Sequence, residues 1–149
     1  MKHLIYDTAI TVHAVVADAD DQLIVGDQVD MQGWEGVAFI AVADEGVDGE
    51  TLTLGAQQGD RADGADMAAL DVAFRFDTDL NAKVQGMLDI YRPTQRYVRA
   101  TLLVPDIGPA TLAVSIIAVR YNGRAEPWKD LATGTLLNPG EFYLSPPLA

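Results

Sequence analysis

Leu70-Asp71-Val72-Ala73-Phe74-Arg75-Phe76-Asp77 is the stretch whose reading decides the fold of this chain. On an extended backbone Val72, Phe74 and Phe76 fall on one side, and Asp71, Arg75 and Asp77 on the other. That alternation describes a strand with one buried and one wetted face. Working outward, Val84, Leu88 and Ile90 alternate with Gln85 and Asp89, and Thr51-Leu52-Thr53-Leu54 follows the turn signal Val47-Asp48-Gly49-Glu50. Residues 36–43 and 110–119 are almost wholly apolar and read as central strands covered on both faces. Further strands are expected at 10–17, at 23–29 and at 95–104, the last beginning polar and aromatic and ending apolar.

Turn chemistry separates these runs at residues 18–22, 44–49, 58–66, 105–109 and 121–123. Strands spaced by such turns predict an all-β chain: a single antiparallel β-sandwich or jelly-roll-like domain. A single helical turn is expected around residues 65–70. There is no internal repeat.

The body is placed at residues 1–125. Residues 126–149 read as an extended C-terminal arm, because Pro127, Pro139, Pro146 and Pro147 oppose both helix and central strand. Trp128, Leu131, Leu136, Leu137, Phe142, Tyr143 and Leu144 are too apolar for a solvated linker. The arm therefore packs on a neighbour or on its own domain, or adds an edge strand.

With 149 residues and 49% hydrophobic side chains the chain can bury a core without staples. It has no cysteine, which removes disulfides, thiolate nucleophiles and thiolate metal sites together. Its two histidines, His3 and His13, fall short of a histidine-rich zinc site, and His13 reads as a core or edge histidine. The two serines, Ser115 and Ser145, lack a nucleophile elbow. Residues 59–66 and 18–21 are rich in aspartate but depart from a calcium-loop frame, since Arg61 intrudes and no glutamate closes the loop. These omissions predict a protein without enzymatic activity, cofactor or metal.

The net charge of −12 is uneven: residues 1–90 hold 18 acids and 4 bases, residues 91–149 hold 4 acids and 6 bases. Such a surface opposes nucleic-acid binding, because each phosphate approached adds repulsion. It suggests an acidic outer surface and a neutral-to-basic attachment face. No apolar run reaches the length of a membrane-spanning helix, and the first residues lack the apolar core of a signal peptide, so a cytoplasmic place of synthesis is expected.

Tyr91-Arg92-Pro93-Thr94-Gln95-Arg96-Tyr97-Val98-Arg99 gathers three arginines and two tyrosines in nine residues. Either these guanidinium groups dock on an acidic partner, or they neutralise the chain's own aspartates. The residues expected to bind a partner are Arg92, Arg96, Tyr97 and Arg99, with Trp128, Phe142 and Tyr143 of the arm.

Three stretches resemble small β-sandwich proteins encoded beside the capsid gene of tailed bacteriophages. They are residues 30–39 (Asp-Met-Gln-Gly-Trp-Glu-Gly-Val-Ala-Phe), Val47-Asp48-Gly49-Glu50 leading to Gln57-Gln58-Gly59-Asp60, and Arg96-Tyr97-Val98-Arg99-Ala100-Thr101 with the apolar strand after it. Together they span about residues 27–125. The resemblance implies a head-decoration, or capsid cement, protein of the virion surface that binds the major capsid protein, often as a homotrimer. The long C-terminal tail departs from that pattern. A neck or tail component of the particle is the alternative, and a carbohydrate-binding module using Trp34 and Trp128 a further one.

Overall fold

In the computed structural model, which describes residues 8–123, the alternating runs become nine strands and no helix. They are β1 (Thr8–Ala19), β2 (Gln22–Val25), β3 (Val29–Asp30), β4 (Gly36–Ala43), β5 (Thr51–Gly59), β6 (Ala68–Asp77), β7 (Val84–Tyr91), β8 (Tyr97–Val104) and β9 (Leu112–Tyr121). One sheet has the order β1-β9-β4-β7 and the other β2-β8-β5-β6, with the short β3 also on β8. Every pairing is antiparallel. The chain passes repeatedly from one sheet to the other, and this order is that of a jelly roll, two interlocked Greek keys facing each other.

Each sheet turns one side inward. Val37, Phe39 and Ala41 of β4 meet Leu52 and Leu54 of β5, Val98, Leu102 and Val104 of β8, and Leu112 and Ile116 of β9 in one buried core. Phe39 is its largest fully buried side chain. The strand expected at 23–29 is broken into β2 and β3, and Gly26 keeps the gap paired by donating its N–H to the Ala100 carbonyl at 2.9 Å.

The helical turn expected around 65–70 does not form. The Asp66 carboxylate instead accepts the backbone N–H groups of Asp60 (2.9 Å) and Arg61 (3.1 Å), closing a loop from which the chain enters β6 directly. These bonds hold the Asp66 carboxyl below the ordinary carboxylate range.

β6 lies at the edge of its sheet, so its apolar side is less covered than alternation alone predicts: Phe74 is 43% exposed. The rings of Phe74 and Phe76 stack at 6.1 Å and close the open edge of the sandwich over Gly86 of β7.

The expectation that β4 and β9 are covered on both faces is corrected. Their inner residues are core, but the outer side of the β1-β9-β4-β7 sheet carries nothing from the other described strands. The registers align Val12, Ile117, Ile40 and Met87 in one row across all four strands. Ile10, Val119, Ala38 and Asp89 form the row on one side of it, and Val15, Ser115, Val42 and Gln85 the row on the other. Val12, Val15 and Met87 are 63%, 74% and 60% exposed. An apolar composition reports burial without saying what does the burying.

Candidate functional site

The segment rich in arginine forms the β7–β8 loop, at the end of the sandwich where β4 begins and β9 finishes. The β3–β4 loop lies against it. Arg92 adopts a positive φ of 52° at the turn, and its N–H donates to the Glu35 carbonyl at 2.7 Å. Met31 N–H donates to the Arg96 carbonyl at 2.8 Å. These bonds align the two loops around an open cleft of about 720 Å³, walled by Met31, Trp34, Glu35, Arg92, Pro93 and Arg96.

Each arginine here has an acidic or carbonyl partner and an aromatic ring. Arg92 Nη2 lies 3.3 Å from Glu35 Oε1 and its guanidinium 5.1 Å from the Tyr91 ring centre. Arg96 donates through Nε and Nη2 to the two oxygens of Asp30, at 2.9 and 2.8 Å, and lies 5.1 Å from Tyr97. Arg120, at the end of β9, donates to the Asp30 carbonyl at 3.0 Å and covers one face of Trp34 at 5.1 Å. Charge-assisted bonds and ring contacts together fix these long side chains in place. Burial pushes the Arg120 guanidinium below its usual pKa. The Arg96 bond holds the Asp30 carboxyl below its ordinary value, and the Tyr91 hydroxyl, with Arg92 behind it, does the same for Glu35.

Arg92, Arg96 and Tyr97, expected as partner-binding residues, are therefore brought together. Arg99 stands apart, two residues along β8 on the outward side, where Nε donates to Gln57 Oε1 at 2.7 Å. Trp128, Phe142 and Tyr143, like the arm at 126–149, lie outside the described residues. Of the two readings of the arginines, neutralisation of the chain's own acids describes Arg92 and Arg96, although both stay open to solvent along one side. Sequence reasoning missed Asp30, Glu35 and Arg120 as parts of this site. Arg120 carried a usable signal, since the alternation of β9 turns it inward at the strand's end, where an inward cation needs a partner.

The arginines are unevenly placed along the long axis of the jelly roll: they gather at the cleft end, interleaved there with Asp27, Asp30, Glu35, Asp60, Asp63 and Asp66. The loops at the opposite end, residues 20–21, 44–50, 78–83 and 105–111, hold Asp20, Asp21, Asp44, Glu45, Asp48, Glu50, Asp79 and Asp106 against Lys83 alone. Among the described residues Arg61, Arg92, Arg96, Arg99 and Arg120 all lie in the cleft-end half, and Arg75 is the one arginine in the other. No group of three potential metal ligands converges among the described residues. In the loop 59–66, Asp66 serves the backbone as above, and Asp63 is engaged by Arg61 Nη2 and the Ala65 N–H.

No protein-family model and no curated protein sequence matches the chain. Among solved structures it is similar to the PBSX exported protein XepA, with a TM-score of 0.56 and 11% identity over 97% of this chain. The chain spans about half of that protein, 46% of its length. It also aligns with PRD1 vertex protein P5 (TM-score 0.46, 13% identity, 78% of this chain and 98% of that one). The N-terminal cellulose-binding domain of a Cellulomonas fimi β-1,4-glucanase C aligns similarly (TM-score 0.46, 10% identity, 80% and 90%). At such identities the likeness to XepA establishes a shared β-sandwich fold and leaves function to be argued from the site.

Proposed function

We propose that this chain is a non-enzymatic structural protein of a phage particle that binds the outside of the assembled capsid and stabilises it. The observation that carries the reading is the charge axis: arginines gather at the cleft end, and the opposite end is almost purely acidic. A cement protein needs a rigid body with two unlike ends, one to grip the shell and one to face solvent. In this reading Arg92, Arg96, Tyr97 and Arg99 meet acidic surface on the major capsid protein, where planar guanidinium groups can add carboxylate partners on their open sides. Acidic far ends repel one another and keep neighbouring copies from stacking outward. A homotrimer would multiply a modest single interface through effective concentration.

Trp34 also lines the cleft, but Arg120 occupies one face of its ring, which works against a stacking platform for sugars. The test is co-sedimentation of the purified chain with expanded empty capsids, followed by heating or chelation of the particles. Saturable binding and greater particle resistance are expected. Failure to bind would overturn the proposal, and light scattering that finds a hexameric ring or filament would move the chain to the neck or tail.

A further inference from the structure

Arg61, Arg92, Arg96, Arg99 and Arg120 each bond to an acid, an amide or a carbonyl. Arg75 is the one arginine among the described residues that bonds to none, and Asp71, four residues earlier, is equally without a partner. Both are exposed on β6, the edge strand of its sheet, which among the described strands pairs only with β5.

The backbone of β6 has an open side as well. Thr78 N–H donates to the Glu50 carbonyl at 2.8 Å, which sets the phase. Phe76 and Phe74 then bond toward β5, and the N–H and C=O groups of Ala73, Arg75 and Asp77 point away from it. The Thr51 hydroxyl donates to Asp77 at 2.7 Å across what that phase makes a close, non-hydrogen-bonded pair. Farther back the register steps from Gly55 opposite Ala73 to Gln57 opposite Ala69, so Leu70, Asp71 and Val72 have no partners of their own on β5. An uncovered row of this kind is a template for another strand.

We infer that the open side of β6 receives β6 of a second copy, antiparallel, about a two-fold axis at Ala73. The sequence around Ala73 is complementary to its own reverse. In that register Arg75 stands opposite the partner's Asp71, and Asp71 opposite the partner's Arg75. On the core side Phe74 meets the partner's Val72, and Phe76 the partner's Leu70. Phe74 and Val72 are 43% and 38% exposed in the single chain, so pairing covers apolar surface that β5 leaves open. Opposite charges and aromatic–β-branched pairs are both favourable across antiparallel strands. Neighbouring axes lose this match. About Phe74, Asp77 would face Asp71; about Arg75, the two arginines would face each other; about Val72, both charges would face alanines. The contact is two-fold and rests on β6 alone, so it is separate from the cleft and from the capsid reading.

The chain has no cysteine, so Ala73→Cys in the full chain places one thiol on the axis. The Cα atoms of a hydrogen-bonded pair lie about 5.5 Å apart, within reach of a disulfide. Mild oxidation is expected to give a covalent dimer. Adding Arg75→Asp, or instead Asp71→Arg, should cut its yield about tenfold, because each sets like charges opposite one another. Mixing those two variants should restore it, since each then supplies the charge the other lacks, and recovery also shows that both fold. No covalent dimer, a yield indifferent to either substitution, or no recovery on mixing would refute the inference. None of these readouts involves a capsid, so its failure is distinguishable from failure of the proposed function.

Discussion

Arg96 grips Asp30 with both arms of the pair in register, Nε 2.9 Å from Oδ1 and Nη2 2.8 Å from Oδ2, and so fastens the β7–β8 loop to β3 across 66 residues of sequence. Asp30 in turn holds Gln32 N–H through Oδ1 at 3.0 Å and Arg120 through its carbonyl. Because the Asp30 carboxyl titrates below its ordinary 3.8 in the folded chain, its contribution is complete above that value and is lost as pH falls through the lower folded one. Asp30→Asn should therefore lower the thermal midpoint at neutral pH. The two curves should converge in acid, which melting followed by circular dichroism across pH will reveal.

His13 gives stability a second pH dependence, in a different window. It is buried at a bulge in β1, with Nδ1 donating to the Asp27 carbonyl at 2.8 Å and Nε2 accepting the Thr11 hydroxyl at 2.6 Å. Burial, the largest influence, pushes the imidazole below 6.5; Arg120 adds to this, and Asp27 opposes it. The unfolded chain then binds more protons between the folded value and 6.5, so stability falls as pH drops through that interval. His13→Gln should cost about 1–3 kcal/mol at pH above 7 through lost buried hydrogen bonds. It should also remove this slope, as urea midpoints measured at several pH values will test.

Gly36 leaves room for a tyrosine. A Cβ there would collide with Cζ and Oη of Tyr121, whose hydroxyl donates to Asp89 at 2.5 Å. Burial and Asp89 raise the Tyr121 phenol far above its ordinary value. Gly36→Ala should push the Tyr121 ring off the strand and break its bond to Asp89. It should also return the phenol toward ordinary behaviour, which ultraviolet titration follows.

Gly86 does the same for the open edge, where an added Cβ would lie 2.6 Å from Phe76 and 3.0 Å from Phe74. Gly86→Val should lift both rings, increase dye binding at the edge and lower the denaturant midpoint; an unchanged midpoint would mean that the rings do not close the sandwich.

For the proposed capsid contact, Arg92→Glu combined with Arg99→Glu should weaken shell binding on the order of tenfold or more, about 1.4 kcal/mol per decade. The loss should be greatest at low salt, where exposed charges are least screened. A modest loss of stability should accompany it, because Arg92→Glu replaces the cation facing Glu35 with a second carboxylate, whereas Arg99 bonds to the neutral amide of Gln57.

The strands were largely legible, because period-two alternation is imposed on each strand by its own backbone. Residues 36–43 match β4 end for end, and 84–90 matches β7 to within one residue. The single helical turn failed because the Asp66 carboxylate takes the backbone N–H groups of Asp60 and Arg61 and ties its residue into the preceding loop. The cleft was half legible. The clustering of arginine and tyrosine pointed to Arg92, Arg96 and Tyr97, but Asp30, Glu35 and Arg120 join them from distant parts of the chain.

What the sequence determined by itself was composition and period: an all-β body, an excess of acid in the first ninety residues, and no thiol chemistry. Tertiary structure decided which strands became neighbours, and three consequences followed that no local pattern contains. Charges unevenly spread along the chain were sorted into one end of the jelly roll that is almost purely acidic and another where arginines and acids interleave. Phe74, apolar by pattern, was left at an edge. The two most apolar strands came to lie in a sheet whose outer side the other described strands do not cover. The physical reason is common to all three: alternation fixes which side chains share a face, whereas strand pairing and the packing of sheets fix what that face meets.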